Sequence, residues 1–189
     1  MLDAASSLLE QMPLEDVTTT RIAAAAGLSI GALYRFFPDK QTIIDAIAVR
    51  HVEQFRASLV GTVVKLVAGQ LAKLEKPSPA AMLGAIIDAY VLYLDAHADF
   101  RAISFGRHIS AATRERQVSS DVGVTALLKG LMLDQLGAAN TEELDLKLRM
   151  VSEAGEHLIA HAYQQPTREE RDRVIAEMKH MLSRYLFPA

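Results

Sequence analysis

Between Val17 and Lys40 the chain reads VTTTRIAAAAGLSIGALYRFFPDK, and the glycine at its centre leaves few folds open. Thr18 is a favoured N-cap for a short run at helical spacing. Ile22, Ala23 and Ala26 give that run an apolar face of small side chains that another helix can cross closely. Gly27 supplies the left-handed residue that commonly ends a helix, Leu28 can anchor the turn, and Ser29 caps a second short run. The segment predicts helix, tight glycine turn, helix, over about 18–26 and 29–36. Leu33, Phe36 and Phe37 are expected to face the core. Ile30, Gly31 and Ala32 leave the first turn of the second helix nearly bare, although glycine there costs about 1 kcal/mol against alanine. A bare turn suits a surface that something approaches closely. Tyr34, Arg35 and Lys40 bring a phenol, a guanidinium and an ammonium to the same edge, groups suited to phosphate and base-edge contacts. Such turns are common in helical proteins, so the turn by itself equally describes a plain helical hairpin.

The rest of the 189 residues continues the helical theme. There are 10 glycines and 6 prolines, and alanine, leucine, methionine and glutamate recur at helical spacing. The reading is all-α, with about nine helices. A first helix runs from Leu2 to Met12, with Leu2, Ala5, Leu8, Leu9 and Met12 on one face, and Pro13 ends it. After Pro38, Asp39 caps a long helix from Lys40 into the sixties or low seventies. Ser78 and Pro79 open an almost wholly apolar helix to Ala96, followed by a short one over 99–105. A polar, loop-like stretch spans 106–120, and helix resumes over about 118–136. Thr141 and Thr167 stand before two final helices. The domain boundary is expected inside the long fourth helix, giving 1–48 and 49–189, with that helix shared rather than a flexible linker between them.

Composition excludes several chemistries. With no cysteine, a disulfide framework, a zinc knuckle and an iron–sulfur cluster are impossible. The longest apolar candidate, Ala80–Leu94, is interrupted by Asp88, and no basic-then-apolar leader stands at the start. No membrane contact and a cytoplasmic location are expected. No P-loop, Rossmann glycine pattern, nucleophilic triad or paired carboxylates stand out, so no enzyme and no cofactor are expected. The net charge of −3 argues, taken alone, against nucleic acid. Divided by region it changes meaning: residues 17–40 carry Arg21, Arg35 and Lys40 against Asp39 alone, a net +2. Residues 1–60 together carry five basic and seven acidic residues, net −2, so within that stretch the positive balance is confined to the proposed contact surface.

Thr18, Ile22-Ala23, Ala26-Gly27-Leu28-Ser29, Gly31-Ala32-Leu33-Tyr34, Phe36 and Lys40 follow one another at fixed spacing without gaps. This pattern resembles the DNA-binding signature of the tetracycline-repressor (TetR) family, over roughly Leu2–Phe55. The resemblance implies an N-terminal three-helix helix-turn-helix domain and a C-terminal helical domain for effector binding and dimerisation. It implies phosphate contacts at Thr18, Thr19, Tyr34 and Lys40. Thr20, Arg21, Ser29, Ile30, Gly31 and Ala32 would lie on the groove-facing surface, and Arg35 would reach a base or a phosphate. Ile30 and Ala32 have only apolar contacts to offer, for example to thymine methyl groups. The implied protein is a transcriptional regulator, a repressor, that binds a double-stranded DNA operator as a homodimer and is released by a small, mostly apolar effector. The family usually carries a basic arm before its first helix, whereas residues 1–16 hold Asp3, Glu10, Glu15 and Asp16 and no base. That keeps a second reading open, a dimeric helix-turn-helix protein with weak DNA binding that acts through a protein partner.

Beyond the signature the residues are less specific. Leu144, Leu148, Val151, Leu158, Ile159 and Ala162 share one helical face, as do Val174, Ile175, Met178, Met181, Leu182, Tyr185 and Leu186 in the last helix. Packing within one chain and a subunit interface explain such stripes equally well; the resemblance points to the interface, a four-helix bundle made by the last two helices of each subunit. Tyr90, Tyr93, Phe105, His108, Met132 and Met150 are candidate ligand-binding residues, since aromatic and methionine side chains line small-molecule pockets. They suit a plain core as well. Glu153, His157 and His161 fall on one helical face, and two histidines at this spacing can share a metal. The zinc-protease pattern is absent, however, and a solvated polar stripe is the preferred reading, with no metal assigned.

Overall fold

The structure, a computed structural model, describes residues 1–71, 78–105, 108–113, 129–130, 132–133 and 139–187. Among these there is no strand. The helices described from end to end are α1 (Leu2–Gln11), α2 (Thr19–Ala25), α3 (Ile30–Tyr34), α4 (Lys40–Leu71), α5 (Pro79–Ala96), α6 (Ala98–Phe105), α7 (Glu142–Ala162) and α8 (Arg168–Leu186), with a 3-10 turn at Leu14–Asp16. Helical residues also stand at 111–113, 129–130 and 132–133. Apart from 129–130 and 132–133, the helix expected over 118–136 lies outside the described residues, as does much of the polar stretch 106–120. The all-α fold with an N-terminal helix-turn-helix is as the sequence reads.

The chain divides into two units, one of Met1–Phe55 with Leu92–Ser120, the other of Arg56–Val91 with Asp121–Ala189. The division falls inside α4 and again inside α5.

In the first unit the breaks do what their residues dictate. Met12 is extended, as a residue before proline must be. The Thr18 hydroxyl accepts from the Arg21 N–H at 3.2 Å, capping α2. Gly27 has φ +68°, the Leu28 N–H donates to the Ala23 carbonyl at 2.9 Å and the Gly27 N–H to Ala24 at 3.1 Å. That pair of bonds is the Schellman ending, which glycine makes without strain. Asp39 caps α4, accepting from the Thr42 N–H at 2.7 Å. Ile22 of α2, Leu33 of α3 and Ile43 and Ile47 of α4 are buried, each such side chain contributing about 1.5–3 kcal/mol on burial. Helix α6 packs on α1, burying Phe100 and Ile103. Phe36 departs from expectation at 69% exposed. Phe37, four residues from Leu33 and donating its N–H to the Leu33 carbonyl, takes the inward side instead.

In the second unit α7 and α8 pack antiparallel, because Gly155 meets Leu182 while Met150 meets Tyr185. A Cβ on Gly155 would stand 3.7 Å from the Leu182 side chain. The buried stripe is narrower than the apolar one: Leu144, Leu148, Val151 and Ile159 face Ile175, Met178, Leu182 and Leu186, while Met181 and Tyr185 stay exposed. By length and composition α5 is apolar enough to cross a membrane, contrary to the sequence expectation, because one aspartate among so many apolar residues interrupts it little. That aspartate, Asp88, is ion-paired with Lys179 of α8.

Candidate nucleic-acid interface

Helices α2 and α3 present one continuous outer surface. Thr18, Thr20, Arg21, Ser29, Ile30, Gly31, Tyr34 and Arg35 are exposed, and Thr19, Ala32 and Lys40 half-buried. The surface is braced from within. The Ser29 hydroxyl accepts from the Ala32 N–H at 3.2 Å. As caps, Thr18 and Ser29 use their oxygens inward, and each keeps its O–H proton to donate outward. The Thr19 and Tyr34 hydroxyls lie 3.1 Å apart, tying the first turn of α2 to the end of α3. A Cβ on Gly31 would meet nothing within 4 Å, so the fold itself does not require a glycine there.

The cations differ in their freedom. The Arg21 guanidinium donates to the Asp16 carbonyl at 2.7 Å and to the Met12 sulfur at 3.4 Å. The Lys40 ammonium donates to the Leu14 carbonyl at 2.8 Å, which leaves two of its three N–H groups. The Arg35 guanidinium makes no hydrogen bond or ion pair among the described residues. A free guanidinium beside a bare helix turn and two spare hydroxyls is a set of donors directed outward, the chemistry of phosphate and base-edge recognition.

A family model described as "Bacterial regulatory proteins, tetR family" matches residues 1–47. A second, "Tetracyclin repressor-like, C-terminal domain", matches 78–186. The chain belongs to the TetR family. Among solved structures, a TetR-family transcriptional regulator from Streptomyces coelicolor is similar at TM-score 0.68 and 25% identity, over 98% of this chain and 94% of that one. The fatty acid degradation regulator FadR from Bacillus halodurans has a TM-score of 0.67 at 12% identity, over 100% and 97% of the two chains, a likeness of fold. A curated relative, the nucleoid occlusion factor SlmA of Haemophilus ducreyi, is 40% identical over 53 residues, 28% of this chain. The chain spans about a quarter of that relative's length. This TetR-family chain thus carries the DNA-binding helix-turn-helix and the C-terminal domain of transcription regulators.

The candidate ligand residues of this TetR-family chain fall in both units. Tyr93, Phe105 and His108 belong to the first, and Tyr90, Met132 and Met150 to the second. Tyr93 is buried, its hydroxyl 2.8 Å from His51 Nδ1 and donating to Gln54 Oε1 at 3.2 Å. Burial, with the Asp99 charge nearby, pushes the Tyr93 phenol up to about 12. His108 is half-buried, and its carbonyl accepts from Gln41 at 2.7 Å. Tyr90 and Phe105 are half-buried and Met132 is buried. Met150 is 51% exposed, its sulfur accepting from the Tyr185 hydroxyl at 3.3 Å.

Glu153, His157 and His161 are exposed on α7, with His157 Nδ1 donating to the Glu153 carbonyl at 2.8 Å. Among the described residues, the group that converges as metal ligands do is elsewhere, His51, His97 and Asp99. Sequence reasoning missed it. Its one signal is a histidine in the apolar stripe of α4, where Ile44, Ile47, Ala48, Phe55 and Leu59 are buried.

Proposed function

We propose that this chain is a repressor that binds a DNA operator as a homodimer and is released by a small, mostly apolar effector. In this reading residues 1–48 dock on DNA and 49–189 provide the effector site and the dimer contact. The observation that carries it is α3: Ser29, Ile30 and Gly31 form an exposed, side-chain-poor helix start, followed by the exposed Tyr34 and the unengaged guanidinium of Arg35. Nothing in the chain's own packing needs Gly31 bare, whereas a major groove pressed against that turn does. Thr18, Thr19, Thr20, Arg21 and Lys40 flank it as phosphate donors. One such helix reads few base pairs, so two half-sites about 34 Å apart are required. The exposed Leu146, Met150, Met181 and Tyr185 on α7 and α8 supply an apolar face for the second subunit. Tyr90, Tyr93, Phe105, His108 and Met132 are the residues proposed to respond to effector.

Fluorescence anisotropy with the DNA upstream of the chain's own coding region tests this. Affinity is expected to fall steeply as salt rises, since phosphate contacts release counterions. Arg35→Ala is expected to weaken operator binding at least tenfold with the fold intact by circular dichroism. Unchanged binding in Arg35→Ala would remove α3 as the contact surface.

A second reading is supported by Arg21 and Lys40, whose charges are partly engaged by backbone carbonyls, and by the acidic residues of α1 and the turn after it. In it the chain binds DNA weakly and acts through a protein partner. Absence of any sequence-specific shift at low salt favours this reading over the first.

A further inference from the structure

Three side chains far apart in sequence converge inside the first unit: His51 on α4, His97 at the corner between α5 and α6, and Asp99 in the first turn of α6. One donor atom from each lies within 4.8 Å of the others. His51 and Asp99 are each 3% exposed, and His97 is half-buried. We propose that His51, His97 and Asp99 bind a single divalent transition-metal ion of the zinc type.

The Tyr93 hydroxyl has one proton and gives it to Gln54 Oε1 at 3.2 Å. His51 Nδ1 stands 2.8 Å from the Tyr93 hydroxyl and Nε2 stands 2.8 Å from Asp99 Oδ2. In the tautomer with the proton on Nδ1, the Nε2 lone pair and the Asp99 carboxylate oxygen face one another. A cation between them turns that opposition into two bonds. Ligands about 2.1 Å from a tetrahedral zinc ion stand about 3.4 Å apart, so the His51–Asp99 contact opens by about half an ångström to admit the ion. The Nδ1–H to Tyr93 bond is the outer-shell contact that orients a metal-bound imidazole.

The other two ligands agree. Asp99 Oδ1 is buried with no hydrogen-bond partner, a lone pair that a metal satisfies. The His97 ring packs on Tyr93 at 4.1 Å between centroids and has no hydrogen-bond partner among the described residues. Two imidazoles and a carboxylate suit zinc, cobalt or nickel rather than magnesium or calcium. Three protein donors leave one tetrahedral position for water.

The competing occupant of the gap is a second proton on His51, giving an imidazolium–aspartate pair that takes up no metal. The full chain, stripped with chelator and desalted, is titrated with zinc chloride by calorimetry, and its bound metal is counted by mass spectrometry. One ion per chain and a raised melting temperature are expected, with the visible absorption of four-coordinate cobalt when Co2+ replaces zinc. Asp99→Asn and His97→Gln are each expected to weaken binding at least tenfold; His97, half-buried at a corner, tests the site even if Asp99→Asn fails to fold. The double variant His157→Gln/His161→Gln is expected to bind as the parent does. No uptake, or uptake lost only in that double variant, overturns the proposal. No DNA is present in these measurements, so failure here is separable from failure of the regulator reading.

Discussion

Gly27 and Gly31 stand four residues apart and answer to different demands. Gly27 holds φ +68°, where a side chain costs about 1–2 kcal/mol. Gly27→Ala is expected to lower stability by about 1 kcal/mol, read as a lower urea midpoint with an unchanged slope. Gly31 is helical, exposed and unobstructed, so Gly31→Ala is expected to gain up to about 1 kcal/mol from helix propensity. The same variant is expected to weaken operator affinity, because the added methyl stands on the proposed groove surface. Stability gained together with unchanged DNA affinity would show that the bare turn serves nothing outside the chain. At this scale the sequence was uneven. Gly27, Thr18 and Ser29 were legible because a cap or a left-handed residue is a local requirement. Phe36 and His51 were not, since burial depends on which neighbour competes for the inner side.

Element ends were legible wherever proline, glycine or a capping side chain marks them, as at Pro13, Gly27, Asp39 and Pro79. What holds one element to another was not. Asp45 of α4 shows why: its carboxylate accepts from the Ser110 N–H at 2.9 Å and from the Ser110 hydroxyl at 2.6 Å, a pairing 65 residues apart that no periodicity announces. Burial pushes the Asp45 carboxyl up, but the bonds from Ser110, with Gln41 and Thr113, outweigh it and hold the group below its ordinary 3.8. A folded pKa below the unfolded one gives stability that is full above about pH 4 and is lost as pH falls through the lower, folded value. Urea unfolding from pH 6 to pH 3 is expected to show this acid loss, and Asp45→Asn to flatten it while lowering stability at pH 6. An unaltered acid limb in Asp45→Asn would assign the loss to other carboxylates.

For the whole molecule, the stripes on α7 and α8 were legible as apolar, but the sequence left core and interface equal. The pairing of Gly155 with Leu182 decides part of this: it turns Leu148, Val151, Met178 and Leu182 inward and leaves Met150, Met181 and Tyr185 outside. Met181→Glu therefore changes no buried contact and is expected to shift sedimentation from dimer toward monomer with the melting of a single chain's core preserved. A variant that sediments as the parent does would place the subunit contact on another face. The metal ligands were the least legible feature, because His51, His97 and Asp99 meet only after α4, α5 and α6 have packed.

Helix α6 belongs to the unit that carries the recognition helix, though it lies some fifty residues beyond α4's midpoint in the chain. It packs on α1 and meets α4 through Asp99 and through Phe100 stacked on His51. Residues 1–48 cut from the chain would lose that cover, and the isolated fragment is expected to be unfolded by circular dichroism. The reading head of this protein is not a cassette to be moved between regulators. A functional chimera would have to carry the return segment 92–113 along with it, so the exchangeable part is a pair of pieces stitched from two places in the gene.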